Sequence, residues 1–380
     1  MVKKYACVCM SLFIISVLFY SCGKYAPLPQ SSAPVPPSAN AQASKLIPLR
    51  DGTSPLTGLA LTGSAKRPLA VMIDNVRVAL PQRGIGAADI VYEMVTESGI
   101  TRLMAMYSDY ETMPEVGPVR SARDQHVQLM LPLNPLFLHV GASTYATDLL
   151  DKYHYSKYSI NGYLQSGALR LDSERNASTS IEHCWFTDGA LFTSAANACK
   201  LSLKPDVQYS VFDFADETRV LPDGDAKNVS LRFSSYVSSS FSYNDEKQKY
   251  YKSQFSAPQI DENTGEQLAF DNLIILFTDI TKYPDGILAN VDFRFGGVGY
   301  YFSKGRYENI RWLKGGETSP LLIVSADKSE RNVKINPGTT YVAVVDLGKY
   351  EYFNISDKPI EYNNAQSPII HGEDATESPD

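Results

Sequence analysis

The sequence predicts an α+β protein, with an N-terminal α/β layered domain followed by a β-rich, mainly antiparallel C-terminal domain. Up to about Lys204, short apolar runs alternate with stretches of helical apolar spacing, the pattern of a sheet layered with helices. Beyond it, short β-branched or aromatic segments such as Val229–Ser234, Leu273–Phe277 and Tyr341–Val345 are separated by turn signals including Asn244-Asp245, Pro284-Asp285-Gly286 and Asn336-Pro337-Gly338. A chain of 380 residues also exceeds one ordinary core, which points to two domains.

The flanks have a different character. Lys3 and Lys4 precede an apolar run from Tyr5 to about Tyr20, followed by Ser21-Cys22, the layout of an export signal. Leu18-Phe19-Tyr20-Ser21-Cys22 resembles a bacterial lipobox, with aromatic residues where leucine and a small residue are usual. The resemblance implies cleavage before Cys22 and acylation of that residue, and two or more acyl chains anchor stably where one is marginal. An uncleaved anchor helix is the alternative. The expected organisation is a signal peptide over 1–21, a lipid-bearing Cys22 and Pro/Ser-rich tether over 22–50, the α/β domain over 51–204, the β-rich domain over 205–355 and an acidic tail over 356–380. The expected location is extracytoplasmic, with the membrane as partner through the anchor.

Within the first domain, Leu69–Ile73 reads as a buried strand closed by Asp74-Asn75. Ala87–Glu97 follows, with Ile90, Val91, Met94 and Val95 spaced as a helical face stopped by Gly99. Ile100–Ser108 alternates as a strand, and Ser121 is placed to cap a helix running to about Met130. Leu136–Val140 is a third strand, Thr144–Tyr153 a helix, and Thr187 the expected cap of a helix near Ala190–Leu201. Such alternation places polar loops at one edge of the sheet, where sites form.

A net charge of -7 and a pI near 5.4 exclude general nucleic-acid binding, so any anion site must be local. Gly117-Pro118-Val119-Arg120-Ser121-Ala122-Arg123 suggests one, because two guanidinium forks flank an expected helix start. Asp74, Asn75, Arg102 and Ser121 are its expected neighbours, and internal pairing of Arg120 and Arg123 with Asp74, Glu93 or Glu97 is the alternative. Glu93 and Glu97, one helical turn apart, suit a general base or a solvated helix face. Gly141-Ala142-Ser143 resembles a nucleophile elbow but lacks the second glycine, since position 145 is Tyr, and nothing selects a base among His126, His139, His154 and His183. Asp172, Arg175, Glu182 and His183, with Trp185 and Phe186, either complete a cleft or form a tied surface loop. Cys184 and Cys199 are the pair left for a disulfide once the signal peptide is removed, with two unpaired buried thiols as the alternative. No metal or cofactor is expected: two sulfurs make no zinc set, and Gly296-Gly297-Val298-Gly299 lacks the Lys-Ser/Thr of a phosphate loop.

Taken in order, RPLAVMIDN, PQRGIGAADIVYEMVTESGITRLMAMY, VGPVRSAR and FLHVGAS resemble successive blocks of the bacterial YerB-like lipoprotein family. FSYNDEKQKYYKS, DNLIILFTDI, GVGYYFSKGRYENIRWLK and INPGTTYVAV resemble its C-terminal domain. The resemblance covers roughly residues 55–350 and implies two domains and a lipid-anchored extracytoplasmic protein, with no established activity. The chain departs from the family where an Arg and an Ala-Pro-His-Asn-like stretch are usual, having Arg175-Asn176-Ala177-Ser178-Thr179-Ser180-Ile181-Glu182-His183 instead. The leading expectation is binding of an anionic envelope ligand, phosphate- or carboxylate-bearing, through Arg120 and Arg123. The alternatives are an envelope hydrolase or transferase and a scaffold that binds another envelope protein through an exposed strand edge.

Overall fold

A computed structural model describes residues 46–358, apart from 62, 64, 166, 205–208 and 328. The signal segment, Cys22, nearly all of the tether and most of the acidic tail lie outside the described residues.

The protein is α+β, as expected, and one sheet runs through both halves of the chain. Its strands from the first half are β1 (Leu69–Asp74), β2 (Ile90–Val95), β3 (Thr101–Tyr107), β4 (Leu136–His139) and β5 (Ser159–Asn161). A second sheet uses β6 (Asn228–Arg232), β7 (Ser238–Asn244) and β8 (Lys249–Gln254). The chain then returns to the first sheet with β9 (Asn272–Thr278), β10 (Gly297–Ser303), β11 (Arg306–Leu313), β12 (Leu322–Ser325) and β13 (Thr340–Asp346), and ends in the second with β14 (Asn354–Ser356). The large sheet has the order β11-β10-β9-β13-β2-β3-β1-β4-β5, with β12 on β11. The second has the order β8-β7-β6-β14 and is antiparallel throughout.

The halves join at the parallel pair β13–β2, where Tyr341 stands opposite Val91 and Ala343 opposite Glu93. One face of the large sheet, with Val71, Ile73, Val91, Leu103, Leu273 and Tyr341, packs on Val229, Leu231, Phe241 and Tyr250 of the second sheet. The other face, with Met72, Tyr92, Met104, Ile274 and Val342, packs on Val127 and Met130 of α1 (Asp124–Met130) and Leu149 of α2 (Thr144–Lys152). Both cores therefore contain residues of both halves. Among the described residues, no helix is long and apolar enough to cross a membrane.

Three local expectations need correction. Ala87–Glu97 holds a strand, not a helix: Ile90–Met94 are buried in mid-sheet, and a strand apolar on both faces shows no period-two alternation to separate it from a helix. The helix expected from Ser121 begins at Asp124, with Arg123 as cap residue. Farther on, Gly189–Ala198 is helical, but Asp188 caps it; the Thr187 hydroxyl donates to the Ala168 carbonyl instead.

Candidate functional site at one end of the sheet

Strand direction gathers the polar groups. β1, β2, β4, β5, β9 and β13 run the same way, and antiparallel β3 begins where they end, so Asp74 stands opposite Arg102 and Val95 opposite Thr101. β1 and β4 pair only over Leu69–Val71 and Leu136–Leu138 and then separate. Extended residues 118–122 fill the gap. Arg120 N donates to Met72 O at 2.9 Å, Val140 N to Arg120 O at 3.0 Å, and Ala122 N to Gly141 O at 3.0 Å. Gly117 opens this segment because a Cβ there would meet the Phe186 ring and the Trp185 carbonyl, each at 2.8 Å. A segment hydrogen-bonded on both edges cannot coil, which is why the helix starts only at Asp124.

Of the three candidate arginines, two are consumed by Glu97. Arg123 grips it in two-point fashion, Nε to Oε2 and Nη2 to Oε1, both 2.9 Å. Arg102 reaches the same carboxylate and also donates Nη1 to Ser121 O at 2.9 Å. Burial would raise the Glu97 carboxyl, but the Arg102 and Arg123 charges hold it below its usual range. Burial, reinforced by the Arg123 charge, brings Arg102 down to about 9.

Arg120 is different. Its Nε lies 3.3 Å from Asp74 Oδ2 in an ion pair without hydrogen-bond alignment, and its Nη1 and Nη2 donate to no described residue. His183 Nδ1 meets the same Oδ2 at 2.7 Å, and its Nε2 lies 3.4 Å from Glu182 Oε1. Burial opposes ionisation of Asp74, but the His183 hydrogen bond and the Arg120 charge outweigh it and keep the carboxylate below its usual range. Arg102 Nε, Arg120 Nε, Gln125 Oε1 and His126 Nδ1 are all buried without a hydrogen-bond partner among the described residues. Buried polar atoms left unpaired by the protein call for another partner, water or a bound group. Ser121 joins the cluster through its carbonyl, which accepts from Arg102, while its hydroxyl lies beside Gly141, whose Cβ would sit 3.3 Å away.

Asn75 points elsewhere. Successive residues alternate across a strand, so Asp74 faces the α1 side while Asn75 faces the second sheet. There its Nδ2 donates to Glu93 Oε1, Thr101 Oγ1 and Gln254 Oε1, and its Oδ1 accepts from Gln82 and Gln259. Glu93 also accepts from the Tyr341 hydroxyl and pairs with Lys252 Nζ at 3.4 Å. Lys252 donates to Gln254 and Gln259 at 2.7 and 2.6 Å; burial lowers its pKa. The expected pairing of Glu93 with Glu97 is therefore split between two environments. Lys252, Gln254 and Gln259 were not expected to matter. Their signal was a lysine and a glutamine in register with buried Tyr250 on a strand face.

The elbow resemblance dissolves into structure. Ser143 caps α2 by accepting from Ala146 N, and His139 bridges Gly141 O and Ser159 Oγ. Burial brings His139 down to about 4 and His126 to about 3, so both are neutral. Arg175 docks on Ala79 O and Pro81 O, and with Arg83 it flanks Phe186 and meets Glu262 of the second half. Cys184 and Cys199 are not bridged: Cys184 is buried with Sγ donating to Ser180 O, whereas Cys199 is exposed. Among the described residues no group of acidic, His or Cys side chains is placed to hold a metal. A cleft of about 420 Å³ lined by Ile47, Arg50, Phe212 and Lys334 shares no residue with the arginine cluster.

Fold and site define a two-part α+β protein in which one sheet spans both parts and carries an arginine cluster at its end. The chain belongs to the YerB-like family. Residues 56–202 match the N-terminal domain, and 229–342 the C-terminal domain, of the family described as "Protein of unknown function (DUF3048)". The chain is similar to "Putative lipoprotein YerB" of Bacillus subtilis (strain 168), 29% identical over 301 residues that span 77% of this chain and 86% of that protein. The crystal structure of the YerB protein from Bacillus subtilis matches with a TM-score of 0.68 at 25% identity, covering 80% of this chain and 99% of that one.

Proposed function

We propose that this is a lipid-anchored extracytoplasmic protein that binds an anionic envelope ligand, phosphate- or carboxylate-bearing, at Arg120. The anchor reading rests on Lys3-Lys4, the apolar run and Cys22, together with the similarity to a protein named as a lipoprotein. The observation that carries the binding reading is the guanidinium of Arg120, whose terminal nitrogens find no acceptor among the described residues although its side chain is only 15% exposed. A charged fork held in place with free donors is suited to an oxyanion, which it contacts through two parallel N–H groups. His183 stands beside the guanidinium on the same Asp74 oxygen. Asn75, Arg102 and Arg123 support the pocket from behind, being engaged in internal hydrogen bonds.

Asp74 and His183 favour a second reading. A carboxylate on Nδ1 orients an imidazole so that Nε2 can accept a proton, the arrangement of a general base, and this supports a hydrolase or transferase acting on phosphodiesters or glycans. Binding is preferred because Nε2 meets Glu182 and no hydroxyl or thiol among the described residues. Thermal unfolding of the full-length chain with dimethyl phosphate or acetate tests the binding reading. A saturable rise in Tm that disappears in an equally stable Arg120→Ala variant is expected, since ligand binding to the native state raises stability by mass action. If neither anion shifts Tm, the scaffold reading gains, and partner capture on the β-rich half follows.

A further inference from the structure

We propose that Glu182 makes the Arg120 site selective for singly charged anions, a carboxylate or a phosphodiester, over doubly charged phosphate monoesters. This rests on the anion-binding reading and adds the charge class of the ligand. Asp74 Oδ2 is shared by Arg120 Nε at 3.3 Å and His183 Nδ1 at 2.7 Å, so guanidinium and imidazole stand side by side on one carboxylate oxygen. On the other edge of the imidazole, Glu182 Oε1 lies 3.4 Å from Nε2. Glu182 makes no other hydrogen bond or ion pair among the described residues, and its side chain is 37% exposed.

The charges near the pocket balance. Apart from the imidazole of His183, Arg102, Arg120 and Arg123 face Asp74, Glu97 and Glu182, three positive groups against three negative ones. Glu97 is held by two arginines and Asp74 by Arg120 and His183, which leaves Glu182 as the carboxylate an incoming anion meets directly. A first negative charge is accommodated by the free nitrogens of Arg120. A second has no uncompensated cation to meet and is repelled by Glu182, which is linked to Arg120 through the chain His183–Asp74. At a half-exposed position such a repulsion is worth on the order of tenfold in affinity.

The test compares two probes with the same phosphorus chemistry and different charge. Dimethyl phosphate and methyl phosphate are titrated into the full-length chain at pH 8 and constant ionic strength, with binding followed by 31P NMR. The expected result is about tenfold tighter binding of the diester, a preference that falls to within about threefold in Glu182→Gln, and loss of both probes in Arg120→Ala. Tighter binding of methyl phosphate, or an unchanged ratio in Glu182→Gln, overturns the selectivity but leaves the anion site standing. Absence of binding by either probe to the folded parent, or binding indifferent to Arg120→Ala, overturns the anion site itself.

Discussion

The carboxylate of Asp74 and the imidazole of His183 meet at 2.7 Å across 109 residues of sequence. Asp74 arrives at the end of β1, and His183 arrives on a loop whose position is fixed by a backbone hydrogen bond from Val119 N to Trp185 O and a reciprocal pair between Val116 and Thr187. The segment that carries Arg120 is therefore tied to β1 on one side and to the His183 loop on the other. The three side chains are held by one connected framework, and local backbone geometry decides which arginine is free.

Arg120 and Arg123 should separate cleanly in stability. Removing Arg123 strips a two-point partner from a carboxylate only 15% exposed, and Arg123→Ala is expected to cost about 2–3 kcal/mol. Arg120→Ala removes a misaligned ion pair from an Asp74 that His183 still holds, and about 1 kcal/mol or less is expected. Urea denaturation of the two variants measures both, and equal losses would mean that Arg120 is a structural pair like Arg123.

Stability should depend on pH in two windows. His139 and His126 have folded pKa values of about 4 and about 3 against 6.5 when free, so the unfolded chain binds more protons as pH falls below 6.5, and stability drops from there toward pH 4. For His139 alone the loss by pH 4 is on the order of 3 kcal/mol. Asp74 and Glu97 are depressed carboxyls, so their contribution is complete above their unfolded pKa near 4 and is lost only as pH falls below that. Denaturant titrations from pH 7 to pH 4 check the first window, and a His139→Gln variant should show a shallower slope there.

Glu93 and Lys252 make the halves cooperative. Lys252→Ala takes the cation from a fully buried Glu93, and a cost of about 3–5 kcal/mol is expected. The double variant Glu93→Gln/Lys252→Met should recover much of that loss, since no uncompensated charge remains. Calorimetry of the parent should show a single transition, because the β13–β2 pairing and this network run through both halves.

The two thiols should differ in reactivity. Cys199 is exposed and should be alkylated by iodoacetamide in the native protein. Cys184 is buried, burial pushes its thiol pKa up, and it should react only after unfolding. Intact mass after alkylation under both conditions counts one and then two modified residues among these positions; a bridge would block both.

Much of the fold was legible because its signals are local. Thr101–Tyr107 and Leu136–His139 form strands where apolar runs end in Gly or polar residues, and Thr144–Lys152 is helical behind a serine cap. Ile90–Val95 was misread because burial on both faces erases the alternation that distinguishes a strand. Ser121 looked like a helix cap because its surroundings do, and only the pairing of residues 118–122 with β1 and β4 shows that the segment must stay extended. In the site, Asp74, Arg102, Ser121, Arg120 and Arg123 do converge at one sheet end. Asn75 could not be assigned to the opposite face until the strand direction was known, and the meeting of Asp74 with His183 has no sequence signature at all. The union of both halves in one sheet was equally invisible, since parallel pairing of Thr340–Val344 with Ile90–Met94 leaves no mark in either segment.

The most direct measurement follows the arginine side chains themselves. With 15N-arginine in the full-length chain, the Nε–H resonances of Arg102, Arg120 and Arg123 are assigned by substitution and followed as dimethyl phosphate is added. A saturable shift of the Arg120 resonance is expected, with Arg123, locked on Glu97, moving little. If Arg120 stays still while the anion binds, or if no arginine responds to any concentration of the probe, then Arg120 is not the anion site.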